Sequence, residues 1–315
     1  MPESRLAVTG VTGFVGRCLA KRLVAEGYHV RGLVRRMVSL PGLPLEVVQV
    51  GAVDGSTDWG KSLAGIDVVV HLAARTHAVR ERGEGDLADY RPVNVDGTRR
   101  LAEAAAQSGV RRLVFVSSIK VNGERTTSRP FLAGDRPAPQ DAYAISKWEA
   151  EQVVYEVAGS AGLEAVVVRP PLVYGPGAKG NFARLCRAVR RGVPLPFGSV
   201  DNRRSLVALD NLVDLLVRCV GHHAAPGQTF LVSDGDDLST PDMIRRIAQA
   251  MDKNALLLPV PSNLLRTAGR LTGREAELDR LLGWLQVDQE HTRQTLDWVP
   301  PVTVDQALQR AVAGV

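Results

Sequence analysis

The run Tyr143-Ala144-Ile145-Ser146-Lys147 places a phenol and an ammonium four positions apart. On a helix, such positions share one face. A cation beside a phenol favours the phenolate and lowers a tyrosine pKa that is otherwise about 10. Tyr143 then becomes a proton donor or acceptor usable near neutral pH, which is general acid–base chemistry. Upstream, the strand-like segment Leu113-Val114-Phe115-Val116 ends in Ser117-Ser118. A hydroxyl at the carboxyl end of a parallel strand points into a ligand crevice. Ser118 is placed to hydrogen-bond a substrate oxygen beside Tyr143.

A second constellation lies at the start of the chain. Thr9-Gly10-Val11-Thr12-Gly13-Phe14-Val15-Gly16 has glycines in the spacing GxxGxxG, between an apolar strand pattern and a helical one. Such a turn lets backbone approach a pyrophosphate, and the following helix offers its first amides to the anion. The next strand pattern ends at Val34 and is followed by Arg35 and Arg36. An acidic residue here would hold ribose hydroxyls, whereas arginine suits a 2′-phosphate. The expectation is NADP(H) ahead of NAD(H), with NAD(H) still possible.

These groups need a scaffold that alternates strands and helices. Arg5–Thr9, His29–Val34, Leu45–Val50, Asp67–Leu72, Arg112–Ser117 and Glu164–Arg169 are β-branched apolar runs. Helical spacing appears at Phe14–Glu26, Asn94–Ser108 and Ala142–Ala158 between them. Near-continuous apolar strands separated by helices predict a parallel sheet covered on both faces. After Pro170, proline and glycine become frequent, and the pattern predicts helices at Asn181–Arg191, Asp210–Val220, Thr240–Met251, Arg274–Leu282 and Val304–Ala313. The expected fold is α/β, a Rossmann doubly wound parallel sheet with a smaller C-terminal lobe.

Of the 315 residues, 45% are hydrophobic and 23% charged, which suits a folded chain with an ordinary core. No apolar run reaches the roughly 18–20 residues of a membrane span, and no export signal is evident, so a cytoplasmic location is expected. Cys18, Cys186 and Cys219 are widely separated and form no metal spacing or disulfide framework; no metal is expected. The net charge of +5 comes from scattered basic residues with few aromatics among them. Small anionic ligands account for it, and nucleic acid is not expected as a partner.

The chain resembles the extended short-chain dehydrogenases/reductases of the NAD-dependent epimerase/dehydratase type. The residues that carry the likeness are Thr9–Gly16, His71-Leu72-Ala73-Ala74, Asn94-Val95-Asp96-Gly97-Thr98, Ser117–Gly123, Tyr143–Lys147, Arg169-Pro170, Val173-Tyr174-Gly175-Pro176 and Arg204. The resemblance implies Ser118, Tyr143 and Lys147 as the catalytic set, with Ser118 preferred to Ser117 because it lies five positions before Gly123. It implies cofactor contacts at Gly10, Thr12, Gly13, Phe14, Val15, Gly16, Arg35, Arg36, Val53, Leu72, Ala73, Ala74, Lys147 and Pro170. Besides Ser118 and Tyr143, it implies nucleotide or diphosphate contacts at Asn181, Arg204 and Arg280, with Asp288 in the matching C-terminal segment. The nucleotide domain is expected over 1–170 with about 205–235, and the substrate lobe over 171–204 and 236–315. A homodimer through the helices of Asn94 and Tyr143 is the family's habit.

Three departures from that pattern matter. Ala52 stands where an aspartate usually meets the adenine amino group, so that contact is lost or moved to Asp54. Asn122 replaces a tyrosine. Ile119-Lys120 follows Ser118 where sugar dehydratases carry Asp-Glu, which argues against a dehydratase. Ser118–Glu124 and Leu231–Gly235 resemble bacterial UDP-N-acetylhexosamine enzymes of O-antigen synthesis. The leading expectation is an NADPH-dependent 4-ketoreductase of a UDP-4-keto-6-deoxy-N-acetylhexosamine, giving UDP-N-acetylquinovosamine or its C4 epimer. The alternative is a UDP-glucose or UDP-N-acetylglucosamine 4-epimerase with bound NAD, and a more distant one is a non-catalytic NADP sensor.

Overall fold

The computed structural model describes residues 4–76, 86–273 and 275–313. The chain opens with β1 (Arg5–Thr9), α1 (Phe14–Ala25), β2 (His29–Val34), β3 (Glu46–Gln49), α2 (Gly60–Leu63) and β4 (Val68–His71). Then come α3 (Leu87–Arg91), a π-helical turn (Pro92–Asp96), α4 (Gly97–Gln107), β5 (Arg112–Val116), α5 (Ala142–Ala161) and β6 (Glu164–Arg169). The remainder holds β7 (Leu172–Tyr174), α6 (Gly180–Arg190), β8 (Leu206–Ala208), α7 (Leu209–Gly221), β9 (Thr229–Leu231) and α8 (Thr240–Ala250). The last elements are α9 (Ser262–Leu271), α10 (Glu275–Leu282), α11 (Glu290–Leu296) and α12 (Val304–Ala313).

Seven strands form one parallel sheet in the order β3-β2-β1-β4-β5-β6-β9. Side chains on a strand alternate between faces. Leu6 and Val8 of β1 therefore enter one core with Leu19 and Leu23 of α1 and Leu212 and Leu216 of α7. Ala7 between them enters the other, with Leu101 of α4, Val154 of α5 and Trp59. Helices cover both faces, so the sheet is doubly wound as the apolar runs require. The strand order reverses between β1 and β4, whose ends Thr9 and His71 are register partners. Crevices at the carboxyl ends of strands open at such a reversal.

A third core joins Phe182 and Cys186 of α6, Ile244 and Ile247 of α8, Leu265 of α9 and Leu308 of α12. We propose the division into lobes on this basis, with β9 returning to the main sheet from the segment 205–235. Tyr174 is also in this core, and its hydroxyl donates to Asp234 Oδ2 at 2.8 Å.

One expectation needs correction. The helix expected from Asn94 begins earlier, at α3, and passes through the π-turn. Pro92 has no N–H to continue the ladder, and the amide of Gly97 reaches back five residues to the Pro92 carbonyl. The elements α2, α9, α11, β7, β8 and β9 carried no clear pattern, being short or bounded by proline and glycine. The expected helix start at Arg274 lies outside the described residues; α10 begins at Glu275. Cys186 and Cys219 are buried and Cys18 partly so.

Candidate active site

The glycine turn is held by backbone contacts that exclude side chains. Gly10 has φ +69°, and a Cβ there would lie 2.9 Å from Ala73 N. A Cβ on Gly16 would lie 2.2 Å from Gly10 O, so α1 can begin this close to β1 only with glycine. Gly13 is the N-cap of α1, with no side chain bonded to the first amides and no acidic residue in the first turn. Thr12 and Gly13 are exposed, and Phe14 and Val15 partly so. Free amides and the positive end of a 12-residue helix suit an anion at this tip.

The end of β4 is tied to the end of β1, just before this turn, through one hydroxyl. Thr9 Oγ1 accepts from the Leu72 and Ala73 amides at 3.1 Å each and meets His71 Nδ1 at 2.7 Å. With both lone pairs used, the Thr9 hydroxyl donates to the ring, so His71 carries its proton on Nε2. Nε2 meets Thr98 Oγ1 at 3.0 Å, and Thr98 donates to the Asn94 carbonyl at 2.7 Å. The Asn94 amide in turn donates to Ser146 Oγ at 2.9 Å. This buried polar chain joins the loop Leu72-Ala73-Ala74 to the helix of Tyr143. Burial, with some help from Lys147, holds the His71 pKa down at about 3, so the ring stays neutral.

Ser118 ends the turn after β5, Tyr143 lies in the first turn of α5, and Lys147 follows one turn later. Lys147 is almost fully buried, with Nζ 3.9 Å from the centre of the Phe115 ring. Burial lowers its pKa to about 7, against the pull of Glu151. Tyr143 runs opposite to the sequence expectation. Burial first, then the charges of Asp141 and Tyr90, raise its pKa, and Lys147 does not offset them. The expected lysine-lowered phenol is thus corrected: desolvation exceeds the effect of the cation. As it stands, the pocket holds a protonated phenol, suited to giving a proton. Ser118 Oγ accepts from the Lys120 amide at 3.3 Å and is not hydrogen-bonded to Tyr143.

Behind these residues, Arg169 and Glu151 form a buried ion pair, with Nε–Oε1 2.9 Å. Arg169 also donates to Asn122 Oδ1 at 3.0 Å, and Asn122 donates to the Leu132 carbonyl at 2.9 Å. The residue that departs from the tyrosine pattern thus closes a network anchoring α5 to β6. Pro170 is buried, and its carbonyl accepts from Ile119 N at 3.0 Å, fixing the turn beside Ser118.

The other expected positions fall as follows. Arg35 and Arg36 are exposed beyond β2. Val53 is buried, where a Cβ on Gly97 would meet its Cγ1 at 3.2 Å. Asp54 turns its carboxylate onto the Ser56 hydroxyl and amide, which hold its pKa below the usual range. Arg204 donates to the Gly283 carbonyl at 3.0 Å. Burial lowers its pKa to about 10, Glu124 opposes that and Arg280 adds to it. The two arginines expected at a diphosphate therefore share one electrostatic neighbourhood. Asn181, in the first turn of α6, accepts from Arg184. Asp288 caps the approach to α11 by accepting from Glu290 N at 2.7 Å.

Sequence reasoning did not anticipate the charged cluster of Lys120, Glu124 and Asp141. Its signals were there in the spacing of Lys120 and Glu124 and in an aspartate just before the helix. A dinucleotide fits what is built: a glycine cradle that a Cβ would fill, an uncapped helix start, and a buried Ser117 hydroxyl without a partner. Among the described residues no group of side chains is arranged to hold a metal, and no helix is long and apolar enough to cross a membrane.

Residues 6–233 match the NAD dependent epimerase/dehydratase family. The chain is 48% identical over 314 residues to a UDP-glucose 4-epimerase of Vibrio cholerae, covering 98% of this chain and 94% of that protein. It is 26% identical to an N-acetyl-alpha-D-glucosaminyl-diphospho-ditrans,octacis-undecaprenol 4-epimerase of Escherichia coli O157:H7, covering 98% and 95%. Among solved structures, the UDP-N-acetylglucosamine 4-epimerase of Bacillus cereus superposes with a TM-score of 0.81 at 20% identity, covering 98% of each chain, a likeness of fold. The chain is an enzyme of the NAD dependent epimerase/dehydratase family.

Proposed function

We propose that the protein is a UDP-sugar 4-epimerase that retains NAD, with UDP-glucose and UDP-galactose as its first candidate pair. The observation that supports this most is the 48% identity to the Vibrio cholerae UDP-glucose 4-epimerase along nearly the whole of both chains. This reverses the order reached from sequence, where the 4-ketoreductase stood first. The exposed Arg35 and Arg36 are what still favours NADP(H) and the reductase.

When bound, NAD would supply reversible hydride exchange at the sugar's C4. The chain's own residues do the rest. Gly10–Gly16 and the α1 amides would hold the pyrophosphate, with Leu72, Ala73, Ala74, Val53 and Pro170 along the remaining cofactor surface. Ser117 would find its missing partner there. Tyr143 would exchange a proton with the C4 oxygen, Ser118 would donate a hydrogen bond to that oxygen, and Lys147 would orient the ribose. Arg204 and Arg280 would meet the UDP diphosphate, with Asn181 on the nucleotide side. Burial of Arg204 strengthens such a contact by excluding water.

The test is incubation of purified protein with UDP-glucose and no added cofactor. Appearance of UDP-galactose without net change in nicotinamide absorbance is expected. Stoichiometric NADPH consumption with a UDP-4-keto-6-deoxy-N-acetylhexosamine, and no interconversion, would restore the reductase.

A further inference from the structure

One cation beside Ser118 and Tyr143 has no part in the catalytic set. Lys120 Nζ is shared by two carboxylates, Glu124 Oε1 at 2.8 Å and Asp141 Oδ2, and all three groups are largely withdrawn from solvent. Its amide is the donor to Ser118 Oγ. Asp141 is the N-cap of α5: its Oδ1 accepts from Ala144 N–H at 2.7 Å, which leaves Oδ2 to the lysine. Tyr143 is the second residue of that helix. Lys120 therefore stands between the turn of the serine and the carboxylate that opens the tyrosine's helix.

Among the described residues, few groups bear on the phenol. Asp141 precedes it, Tyr90 of α3 meets its ring edge-on at 6.1 Å, and Lys147 follows on the same helix. On the far side of Lys120, Glu124 faces Arg204 electrostatically, and Arg204 faces Arg280. A carboxylate beside a phenol opposes its ionisation, and a cation in contact with that carboxylate offsets part of the effect; the remainder of Asp141's charge still raises the Tyr143 pKa. Burial alone lowers the lysine's pKa, but its bonds to Asp141 and Glu124 outweigh this and keep it charged. The same contact, with the Ala144 amide, holds Asp141 ionised in spite of its burial.

We propose that Lys120 is a positioning residue that acts through Asp141: it screens the carboxylate from Tyr143, so that the phenol can ionise when the reaction needs a base. The inference rests on Tyr143 as the proton-transfer group of the proposed epimerase. An epimerase needs both forms of that group, because the proton leaves the C4 oxygen in one half-reaction and returns in the other.

A titration of the NAD-loaded protein without substrate tests this independently of the sugar. The near-ultraviolet tyrosinate signal of each protein, minus that of its Tyr143→Phe counterpart, isolates this phenol. Lys120→Met is expected to raise the midpoint by about one unit, a tenfold loss of phenolate below it. Lys120→Arg is expected to leave it near wild type. Lys120→Met combined with Asp141→Asn is expected to bring it back, since asparagine still caps the helix. Should Lys120→Met not fold, Asp141→Asn alone is expected to lower the midpoint. An unmoved midpoint in Lys120→Met, or a rise that Asp141→Asn does not reverse, would overturn the proposal. So would an unmoved midpoint in Asp141→Asn. Lack of turnover of UDP-sugars by the wild type would refute the proposed function and leave this titration readable.

Discussion

At the scale of single residues, the site is governed by the cost of burying charge. Tyr143 and Lys147 are both pushed towards their neutral forms by desolvation. Tyr143→Phe removes only the phenol oxygen, so NAD should bind as before while turnover falls by about 10²–10⁴. Cofactor titration beside steady-state rates checks this; near-normal turnover would remove Tyr143 from the chemistry. Lys147 has a stability signature of its own. Its folded pKa of about 7 lies below the unfolded value of roughly 10.4. Between those values the unfolded chain binds more protons, so stability rises with pH across that window, and the penalty is complete below about 7. Lys147→Met is therefore expected to raise the Tm of the cofactor-free protein at pH 7 and to abolish activity. The gain in Tm should shrink towards pH 10. Calorimetry across that range would show equal Tm values throughout if the lysine were buried without cost.

Elements position these residues through tight contacts rather than through flexible loops. The α1 turn supplies a paired test. Gly16→Ala drives a methyl to within 2.2 Å of Gly10 O, so a loss of stability of at least about 1–3 kcal/mol is expected. Gly13 is exposed, and its added Cβ would stand 3.1 Å from Gly10 O. Gly13→Ala should therefore cost less Tm than Gly16→Ala yet weaken NAD binding, because Gly13 opens the exposed helix start where the pyrophosphate would sit. Equal effects of the two changes on Tm and binding would contradict this placement. The same elements show what was readable in advance. The glycine turn and the Tyr143–Lys147 spacing are local patterns, and each folds as its spacing dictates. Six of the sheet's seven strands were legible as apolar runs, most of them continuous because they are buried on both faces; the three-residue β9 was too short to show a pattern. The polar chain from Thr9 through His71, Thr98 and Asn94 to Ser146 was not, because it joins four segments far apart in sequence. Nor was the raised pKa of Tyr143, since spacing reveals the neighbouring cation but not the depth of burial.

For the whole molecule, the sheet's reversal between β1 and β4 brings the glycine turn, the Leu72–Ala74 loop and the Ser118 turn to one edge. The core of α6, α8, α9 and α12 stands beyond β7, and Arg204 and Arg280 belong to the segments around it. Ala52 shows the reach of residue-level reading: its loss of an acid was visible, but the turning of Asp54 onto Ser56 was not. The central claim is that hydride leaves C4 and returns to it within a single retained cofactor. UDP-glucose carrying deuterium at C4 tests this most directly. The account predicts UDP-galactose with deuterium still at C4, formed without added nucleotide. Deuterium appearing in free NADPH or NADH, or no galacto product at all, would contradict it.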